Sequence, residues 1–200
     1  MRKQLAATVS RRSRGAKIEW ARRNIEPGST VLLVGASIPR TDDLGIDNIV
    51  ERGIGEFADI HALVYDWGDP RLGCPFTRGD ACDLPFPDQS FDYVFSNAVI
   101  EHVGGPDRAR AMLDESKRVA RRGAFHTTPD RWFPVETHTL IPLLHWLPRS
   151  FQHRAFATAG KPYWNLQSFW LFGRRSLLRL SSDFRVERLS PLVLIAVWRL

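Results

Sequence analysis

Polar residues stand at both ends of an apolar segment in the stretch GDACDLPFPDQSFDYVFSNAVIEHV, residues 79–103. Asp80 follows one predicted strand, and Ser96 and Asn97 follow the next one, which is predicted over Phe91–Phe95. In open α/β sheets, ligands bind outside the carboxyl ends of the strands. A carboxylate, a hydroxyl and an amide at two such ends could hold the polar parts of a small ligand.

Alternating strands and helices have to position these groups. Apolar runs bounded by turn residues predict buried strands over 30–34, 61–65, 76–79, 91–95 and 124–127. Helical spacing and end signals predict helices over 16–24, 43–52 and 166–180, and one from Pro106 to a cap at Gly123. This alternation indicates a mostly parallel sheet covered on both faces. Strands predicted over 185–189 and 192–198 are so close in sequence that they form an antiparallel hairpin.

The N-terminal segment is predicted to be a basic arm. Residues 1–23 contain eight basic residues and one acid, Glu19, whereas the formal net charge of all 200 residues is +6. We expect residues 1–15 to be disordered and residues 16–200 to form one domain, with 130–165 as an inserted lid rich in aromatic residues and prolines. Such an arm could contact nucleic acid or an anionic membrane, although a solvated tail is the simpler interpretation.

Several classes of protein are disfavoured by composition. No apolar run reaches the roughly 18 residues of a membrane span, and the N-terminus lacks the apolar segment of a secretory signal. Cys74 and Cys82 do not make a disulfide framework, so we expect inert thiols in a reduced, cytoplasmic setting. His138, His145 and His153 match no metal-ligand spacing, so no metal site is predicted.

The segment from Asp80 to Ser96 reads DACDLPFPDQSFDYVFS. It resembles the D-A-x-x-L-P-F-x-D-x-S-F-D-x-V-x-S signature of a small-molecule subgroup of the class I S-adenosylmethionine-dependent methyltransferases. The wider strand order fits that family from residue 28 to the C-terminus. The resemblance implies a Rossmann-like, three-layer α/β sandwich whose seven-stranded sheet ends in an antiparallel strand. It also implies S-adenosylmethionine as the cofactor.

The resemblance assigns cofactor-binding roles residue by residue. Asp80 would meet the adenine amino group, and the Ala81 backbone N–H would meet a ring nitrogen. Asp66, which closes the second strand, would accept hydrogen bonds from the ribose hydroxyls, because a carboxylate suits a vicinal diol. Ser96 and Asn97 would lie near the methionine part and the methyl group. In isolation, either acid could equally be a turn or helix-capping residue.

The first loop departs from the family pattern. The family places an acid two positions before Gly-x-Gly-x-Gly, whereas this chain has Leu33 and then Gly35-Ala36-Ser37-Ile38-Pro39. Gly35 and Ser37 are still assigned to the cofactor loop, because serine is small, but Pro39 fixes φ and removes an N–H. Three explanations stay open: the rest of the pocket holds the cofactor, the cofactor binds weakly, or a methyltransferase fold has lost its activity.

Methyl transfer from a sulfonium is an in-line displacement at carbon, so the protein chiefly has to align a nucleophile with the methyl group. A general base helps when the nucleophile is a hydroxyl. The candidates are His102 after the fourth strand, His126 on the fifth, and Glu136 and His138 in the lid. The unperturbed pKa of histidine suits this role, although each residue is more often a core or capping residue.

The first hypothesis is a methyltransferase for a small or medium-sized acceptor, with O-methylation favoured over N- or C-methylation. The acceptor would be apolar or aromatic if Trp132, Phe133, Trp146 and Trp164 line a pocket instead of packing together. The alternatives are a catalytically degenerate binding or scaffolding protein on the same fold and, from the basic arm alone, a nucleic-acid-modifying enzyme. A dinucleotide-dependent dehydrogenase is disfavoured, because residues 35–39 lack the glycine fingerprint.

Overall fold

A computed structural model describes residues 2–36, 48–65, 72–135, 142–158 and 169–200. Its strands are β1 (Thr30–Val34), β2 (Asp59–Val64), β3 (Phe76–Arg78), β4 (Phe91–Asn97), β5 (Ala120–Pro129), β6 (Arg185–Ser190) and β7 (Val193–Arg199). Its α-helices are α1 (Arg2–Asn24), α2 (Ile49–Gly55), α3 (Pro106–Val119), α4 (Arg149–Thr158) and α5 (Arg174–Leu180). Two 3-10 helices span Ile100–His102 and Leu144–Trp146.

The strands form one seven-stranded sheet in the order β3-β2-β1-β4-β5-β7-β6. β1 is parallel to β2 and β4, β2 to β3, and β4 to β5, whereas β7 is antiparallel to both β5 and β6. The predicted α/β fold with a C-terminal antiparallel hairpin is therefore confirmed. The strand order reverses between β1 and β4, and a crevice for ligands opens at such a switch point.

Both faces of the sheet are covered by helices, which gives the three layers. On one face, α1 and α2 bury Ala21 and Ile54 against Phe95 and Phe125. On the other face, α3 and α5 pack on the sheet, and the apolar stripe predicted for α3 is buried at Ala109, Met112, Leu113, Ser116 and Val119. Because the two cores hold the sheet rigidly, the carboxyl ends of its parallel strands are fixed relative to one another.

The first helix is longer than predicted. Residues 2–15, which we expected to be disordered, belong to α1, which runs without a break from Arg2 to Asn24. The segment is rich in Arg, Lys, Gln, Leu and Ala, which have high helix propensity, and it contains no proline. Arg22 and Arg23 lie in the last turn, where positive charge is favourable next to the helix dipole.

Gly123 does not cap the third helix, so that prediction is wrong. α3 ends at Val119, and β5 begins at the next residue and continues through Gly123, which pairs with Arg199. A Cβ atom on Gly123 would lie 2.8 Å from the Phe125 ring and 3.1 Å from the Trp198 carbonyl oxygen. This glycine is therefore needed for close packing within the sheet and not for a helix end.

Other boundaries also move. β4 continues through Asn97, so the polar pair Ser96-Asn97 ends that strand instead of following it. The helix predicted over 166–180 begins only at Arg174, after an irregular segment from residue 169. There the Gly173 N–H donates to Ser176 Oγ at 2.8 Å, which fixes the helix start. The helix predicted over 43–52 is described from Ile49 and continues to Gly55.

The part of the predicted lid that the structure describes is made of short elements. It contains an isolated bridge between Val135 and Pro142, the 3-10 helix Leu144–Trp146 and then α4. Among the described residues, no helix is both long and apolar enough to cross a membrane.

Candidate functional site

Asp80 lies two residues after β3, at the carboxyl edge of the sheet, and two donors hold its carboxylate. Oδ1 accepts a 2.9 Å hydrogen bond from the Cys82 backbone N–H, and Oδ2 accepts one of 2.6 Å from Arg108 on α3. Partial burial alone would raise the pKa of Asp80, but the Cys82 N–H and the Arg108 guanidinium lower this pKa below its ordinary value. Asp80 is therefore an ionised, partly exposed acceptor, as a contact with an adenine amino group requires.

The neighbours of Asp80 differ in burial and in role. Ala81 is buried, and Arg108 also donates to the Val103 carbonyl oxygen at 2.6 Å, so it links the loops after β3 and β4. Burial raises the pKa of the Cys82 thiol to about 11, although the positive charge of Arg108 opposes this shift. A thiol that stays protonated is a poor nucleophile, which agrees with an inert Cys82.

The Leu-Pro-Phe loop of the signature is anchored on α3. The Leu84 N–H donates to Glu115 at 2.8 Å, and Arg118 donates to the Leu84, Phe86 and Asp88 oxygens at 3.0, 2.8 and 2.9 Å. Glu115 and Arg118 also pair with each other at 2.6 Å. Because these contacts join the loop to the helix, they position the whole segment between β3 and β4.

Another acid of the signature has a structural role. Asp92 accepts hydrogen bonds from the Thr30 backbone N–H at 3.0 Å and from the Thr30 hydroxyl at 2.9 Å. These bonds join β1 and β4 at their amino ends, opposite the predicted site. The signature thus combines residues that face the carboxyl edge with residues that hold the strands together.

Ser96 and His126 form a pair inside the fold. They lie opposite each other in the β4–β5 register, and Ser96 Oγ and His126 Nδ1 share a hydrogen bond of 2.9 Å. His126 is 0% exposed, its ring lies 5.7 Å from the Phe184 ring, and Nε2 has no partner among the described residues. Burial lowers the pKa of His126 to about 3. The imidazole is therefore neutral at physiological pH and sealed from solvent.

Asn97, the last residue of β4, is the centre of a polar cluster under α1. Its Oδ1 accepts hydrogen bonds from Lys17 Nζ at 2.6 Å and from the Thr127 hydroxyl at 3.2 Å. Its Nδ2 donates to Glu51 Oε1 at 3.1 Å. Lys17 and Glu51 are both buried. Burial lowers the pKa of Lys17 to about 8, against the opposing effect of the Glu101 and Glu51 carboxylates.

Glu101 brings a second carboxylate to this cluster. It lies on the 3-10 helix that follows β4, is 0% exposed, and its Oε2 accepts a 3.0 Å hydrogen bond from the Thr128 hydroxyl. Its Oε1 has no hydrogen-bond partner among the described residues. A buried carboxylate oxygen without a donor is unfavourable, so this position is suited to a ligand that brings a positive charge or an N–H group.

The ends of β1 and β4 approach each other closely at the first loop. Gly35 has φ +74°, and a Cβ atom there would lie 2.5 Å from Val99 Cγ2. Ala98, on the facing segment, has φ +58°, which is unusual for a residue with a side chain, and its N–H donates to the Thr127 carbonyl oxygen at 2.9 Å. The fold itself therefore requires the one glycine of the family loop that this chain retains.

His102 is exposed at the end of the same 3-10 helix, beside aromatic residues from the C-terminal side of the predicted lid. The His102 ring lies 5.3 Å from the ring of Phe169. The next residue, Trp170, is covered by the Arg149 guanidinium at 3.7 Å from the ring centroid, and it packs on Gly105. A histidine next to apolar and cationic surfaces could receive a proton from an acceptor bound there.

The structure brings part of the predicted site together. Ser96 and Asn97 lie beside each other at the end of β4, with His126 behind Ser96, and Asp80 and Ala81 lie further along the same edge. Five predicted residues lie outside the described part of the chain: Ser37, Asp66, Glu136, His138 and Trp164.

Sequence reasoning missed four charged residues at or beside this edge: Lys17, Glu51, Glu101 and Arg108. The spacing of α1 contains a signal for the first, because Lys17 precedes the buried residues Ala21 and Ile25 by four and eight positions. A lysine on the apolar stripe of a helix is unusual and indicates a buried partner. Arg108 has no comparable signal, since its partner becomes close only when α3 packs on the loop after β3.

Residues 61–127 match the sequence profile of a family described as Methyltransferase domain. The matched span runs from β2 to β5 and contains Asp80, Asn97 and His102. Over these residues, the chain is similar to that methyltransferase family. The predicted resemblance to the S-adenosylmethionine-dependent methyltransferases is therefore confirmed.

Individual relatives agree with this assignment. A protein of Encephalitozoon cuniculi that is named as a methyltransferase is 31% identical over 123 residues, which cover 56% of this chain and 51% of that protein. The chain thus spans about half the length of that relative.

Solved structures share the fold of this chain. An S-adenosylmethionine-dependent methyltransferase of Methanosarcina mazei has a TM-score of 0.55 and 18% identity, over 89% of this chain and 96% of that chain. The 1,6-didemethyltoxoflavin-N1-methyltransferase of Burkholderia thailandensis, solved with its substrate and S-adenosylhomocysteine, has a TM-score of 0.58 and 15% identity, over 94% and 77% of the two chains. At these identities the likeness shows the fold alone.

The described residues fit S-adenosylmethionine at both of its ends. At one end, the ionised Asp80 carboxylate is a ready acceptor for an amino group. At the other end, a buried ammonium and a buried carboxylate oxygen without a donor, from Lys17 and Glu101, suit a group with both charges.

Proposed function

We propose that this domain transfers a methyl group from S-adenosylmethionine to a small or medium-sized acceptor, with an oxygen as the favoured methylated atom. The observation that carries the proposal is the position of the signature in the fold. Asp80 begins the signature, and Asn97 directly follows its last residue. These two residues lie at the same edge of the sheet and on opposite sides of β1, where the strand order reverses. That crevice is where open α/β sheets bind their ligands.

Bound S-adenosylmethionine would supply an electrophilic methyl group on a positively charged sulfur. The protein would then bind both ends of the cofactor and hold an acceptor in line with the methyl group. We assign Asp80 and Ala81 to the adenine end, and Ser96, Asn97 and Gly35 to the methionine end. Ser37 and Asp66 are kept as cofactor ligands in the proposal from the family resemblance alone.

His102 is the favoured general base. It is exposed beside Phe169 and Trp170, so an acceptor on this aromatic surface could give up its hydroxyl proton to the ring. His126, the other histidine predicted to be catalytic, lies behind Ser96 with a pKa of about 3, and we propose that it positions Ser96. Glu136 and His138 are kept as further candidates.

The aromatic surroundings of His102 favour an apolar or aromatic acceptor. The ring centroids of Trp132 and Trp146 lie 6.2 Å apart on the lid, and the two residues are 65% and 43% exposed, so they could enclose such a molecule. The Burkholderia protein, whose name gives a small heteroaromatic substrate, supports a small acceptor for this fold.

Titration calorimetry with S-adenosylhomocysteine tests the cofactor assignment. We expect the wild-type protein to bind, and we expect Asp80→Asn to weaken binding by about tenfold, because a charge-assisted hydrogen bond contributes roughly 1.5–3 kcal/mol. Asp88→Asn is the matched control, since Asp88 is an exposed acid of the same signature. No binding at millimolar ligand would refute the proposal, and equal effects of the two variants would refute the role of Asp80.

A catalytically degenerate binding protein on this fold is the second candidate. It is favoured by the first loop, where Leu33 is a buried core residue in the position of the family's acid and Pro39 replaces the third glycine. This candidate predicts no turnover with any acceptor. Transfer of a labelled methyl group to a hydroxylated aromatic acceptor would exclude it.

Contact of the basic N-terminal segment with nucleic acid or an anionic membrane is less well supported. Lys17 is buried in the fold, and Arg22 forms an ion pair with Glu56, so two of its cations serve internal contacts. Strongly salt-dependent binding of RNA by the wild-type chain would favour the nucleic-acid alternative. A cytoplasmic location stays a prediction.

A further inference from the structure

Lys17 is a charged residue in a position that the fold would otherwise fill with an apolar side chain. It lies on the face of α1 that buries Ala21, in line with the buried Ile25 just after the helix, and it is 8% exposed. Burying an ammonium group is costly unless it is paired. Its Nζ has three N–H groups, and in the described part of the chain the structure shows one hydrogen bond from it, to Asn97 Oδ1 at 2.6 Å.

Two carboxylates surround this ammonium group without closing the cluster. Glu51 accepts a hydrogen bond from Asn97, and both Glu51 and Glu101 lie close enough to Lys17 to raise its pKa by their charge. Glu101 keeps one oxygen that has no donor among the described residues. In the cluster, Lys17 has more N–H donors than described acceptors, and Glu101 has one oxygen without a described donor. The positive charge of Arg14 also lies close enough to lower the pKa of Lys17.

An α-amino acid group has the complementary arrangement. Its carboxylate can accept hydrogen bonds from Lys17, and its ammonium group can donate to Glu101, so the ligand would satisfy both groups at once. The cluster lies at the ends of β4 and β5, and Val99, two residues from Asn97, touches Gly35 at the start of the first loop. In this chain, that loop lacks the acid and two of the glycines that the resemblance leads one to expect.

We infer that Lys17 and Glu101 bind the α-amino acid end of S-adenosylmethionine, with Asn97 and Glu51 positioning Lys17, and that α1 thereby supplies what the first loop has lost. This inference rests on the proposed function. It assigns the charge recognition to α1 and to the segment after β4, two elements that are remote from each other in sequence. It also explains why a buried position that packing alone would fill with an apolar residue holds Lys17.

Two ligands separate this role from a merely structural one. S-adenosylhomocysteine carries the amino acid end, whereas 5′-methylthioadenosine has the adenosine and the sulfur without it. We expect Lys17→Met to weaken binding of S-adenosylhomocysteine by roughly 10- to 100-fold in calorimetry and to change binding of methylthioadenosine by less than about twofold. Methionine has a similar length and no charge, so it should pack in the same space.

Arg23→Met is the matched control, because Arg23 is an exposed base on the same helix, and it should leave both affinities unchanged. Glu101→Gln is the second variant, and it should also weaken the binding of S-adenosylhomocysteine more than that of methylthioadenosine. Unfolding midpoints of all variants establish that they fold. If Lys17→Met does not fold, the ligand selectivity of Glu101→Gln decides the inference.

The inference is overturned if Lys17→Met weakens the binding of both ligands equally, or of neither. Tighter binding of S-adenosylhomocysteine by this variant would also overturn it, because Lys17 would then block the site. In each of these cases, binding by the wild-type protein leaves the proposed function intact. If the wild-type protein binds neither ligand, the proposed function fails first and the inference falls with it.

Discussion

His126 should make the folded protein sensitive to acid. Burial lowers the pKa of this histidine from 6.5 to about 3 in the folded state. Between these values, the unfolded chain binds a proton at the ring and the folded chain does not. A lowered pKa of this kind contributes stability that is complete above the unfolded value and is lost as the pH falls toward the folded value. The expected window is therefore from pH 6.5 down to pH 3.

The size of the effect follows from the same two values. Lowering the pH from 8 to 5 should reduce the free energy of unfolding by about 2 kcal/mol through His126 alone, at 1.36 kcal/mol per pKa unit. Any folded pKa below about 4 gives nearly the same result at pH 5, so the expectation depends on the burial of the ring and not on the exact shift.

Urea unfolding followed by circular dichroism at pH 8, 7, 6 and 5 measures this effect. His126→Gln is the comparison variant, because glutamine can still form a hydrogen bond with Ser96 and does not titrate. We expect the wild-type protein to lose about 2 kcal/mol more than this variant over that range.

Equal pH dependence in the wild-type protein and His126→Gln would refute the reasoning. It would mean that the ring takes up a proton as easily in the folded state as in the unfolded one, so the ring would not be sealed. His126 would then return as a candidate base beside His102. The stability experiment therefore bears directly on the assignment of the proton acceptor.

Two further predictions concern the scaffold. Both Gly28 and Gly35 have positive φ, so replacing either by alanine should cost about 1–2 kcal/mol of stability. Gly35→Ala should destabilise the protein more, because only a Cβ atom at Gly35 would meet a side chain, that of Val99 at 2.5 Å. Equal losses in urea unfolding would contradict this close approach. Arg118→Met should lower the free energy of unfolding by about 1–3 kcal/mol, because it removes the α3 side chain that donates to the loop carbonyl oxygens. Arg121 is more exposed, so Arg121→Met should lower it less. The reverse order would contradict the anchoring role of Arg118.

Local signals explain why the fold was predictable. Strands such as Thr30–Val34 are short apolar runs between turn residues, and the stripe from Ala109 to Val119 has helical spacing. These patterns depend only on neighbours in sequence. The ends of elements depend on contacts made later, which is why Gly123, a typical helix cap in sequence, lies inside β5, where close packing against Phe125 requires a glycine.

The candidate site divides in the same way. Asp80, Ser96 and Asn97 could be proposed from sequence, because they lie at strand ends and because the signature begins at Asp80, ends at Ser96 and is followed directly by Asn97. Their partners could not be proposed, since Arg108 and Lys17 lie 28 and 80 residues from the groups that they contact. Only the packing of α3 and α1 on the sheet creates these pairs.

The sequence by itself therefore determined the class of fold, the resemblance to methyltransferases and the strand ends that carry the candidate polar residues, because each depends on short-range patterns. The tertiary structure decided which of those polar residues can reach a ligand. It buried His126 behind Ser96 and left His102 at the surface. It also brought Lys17 and Glu101 to the same strand ends, because burial and charge pairing depend on the distances that the folded chain imposes.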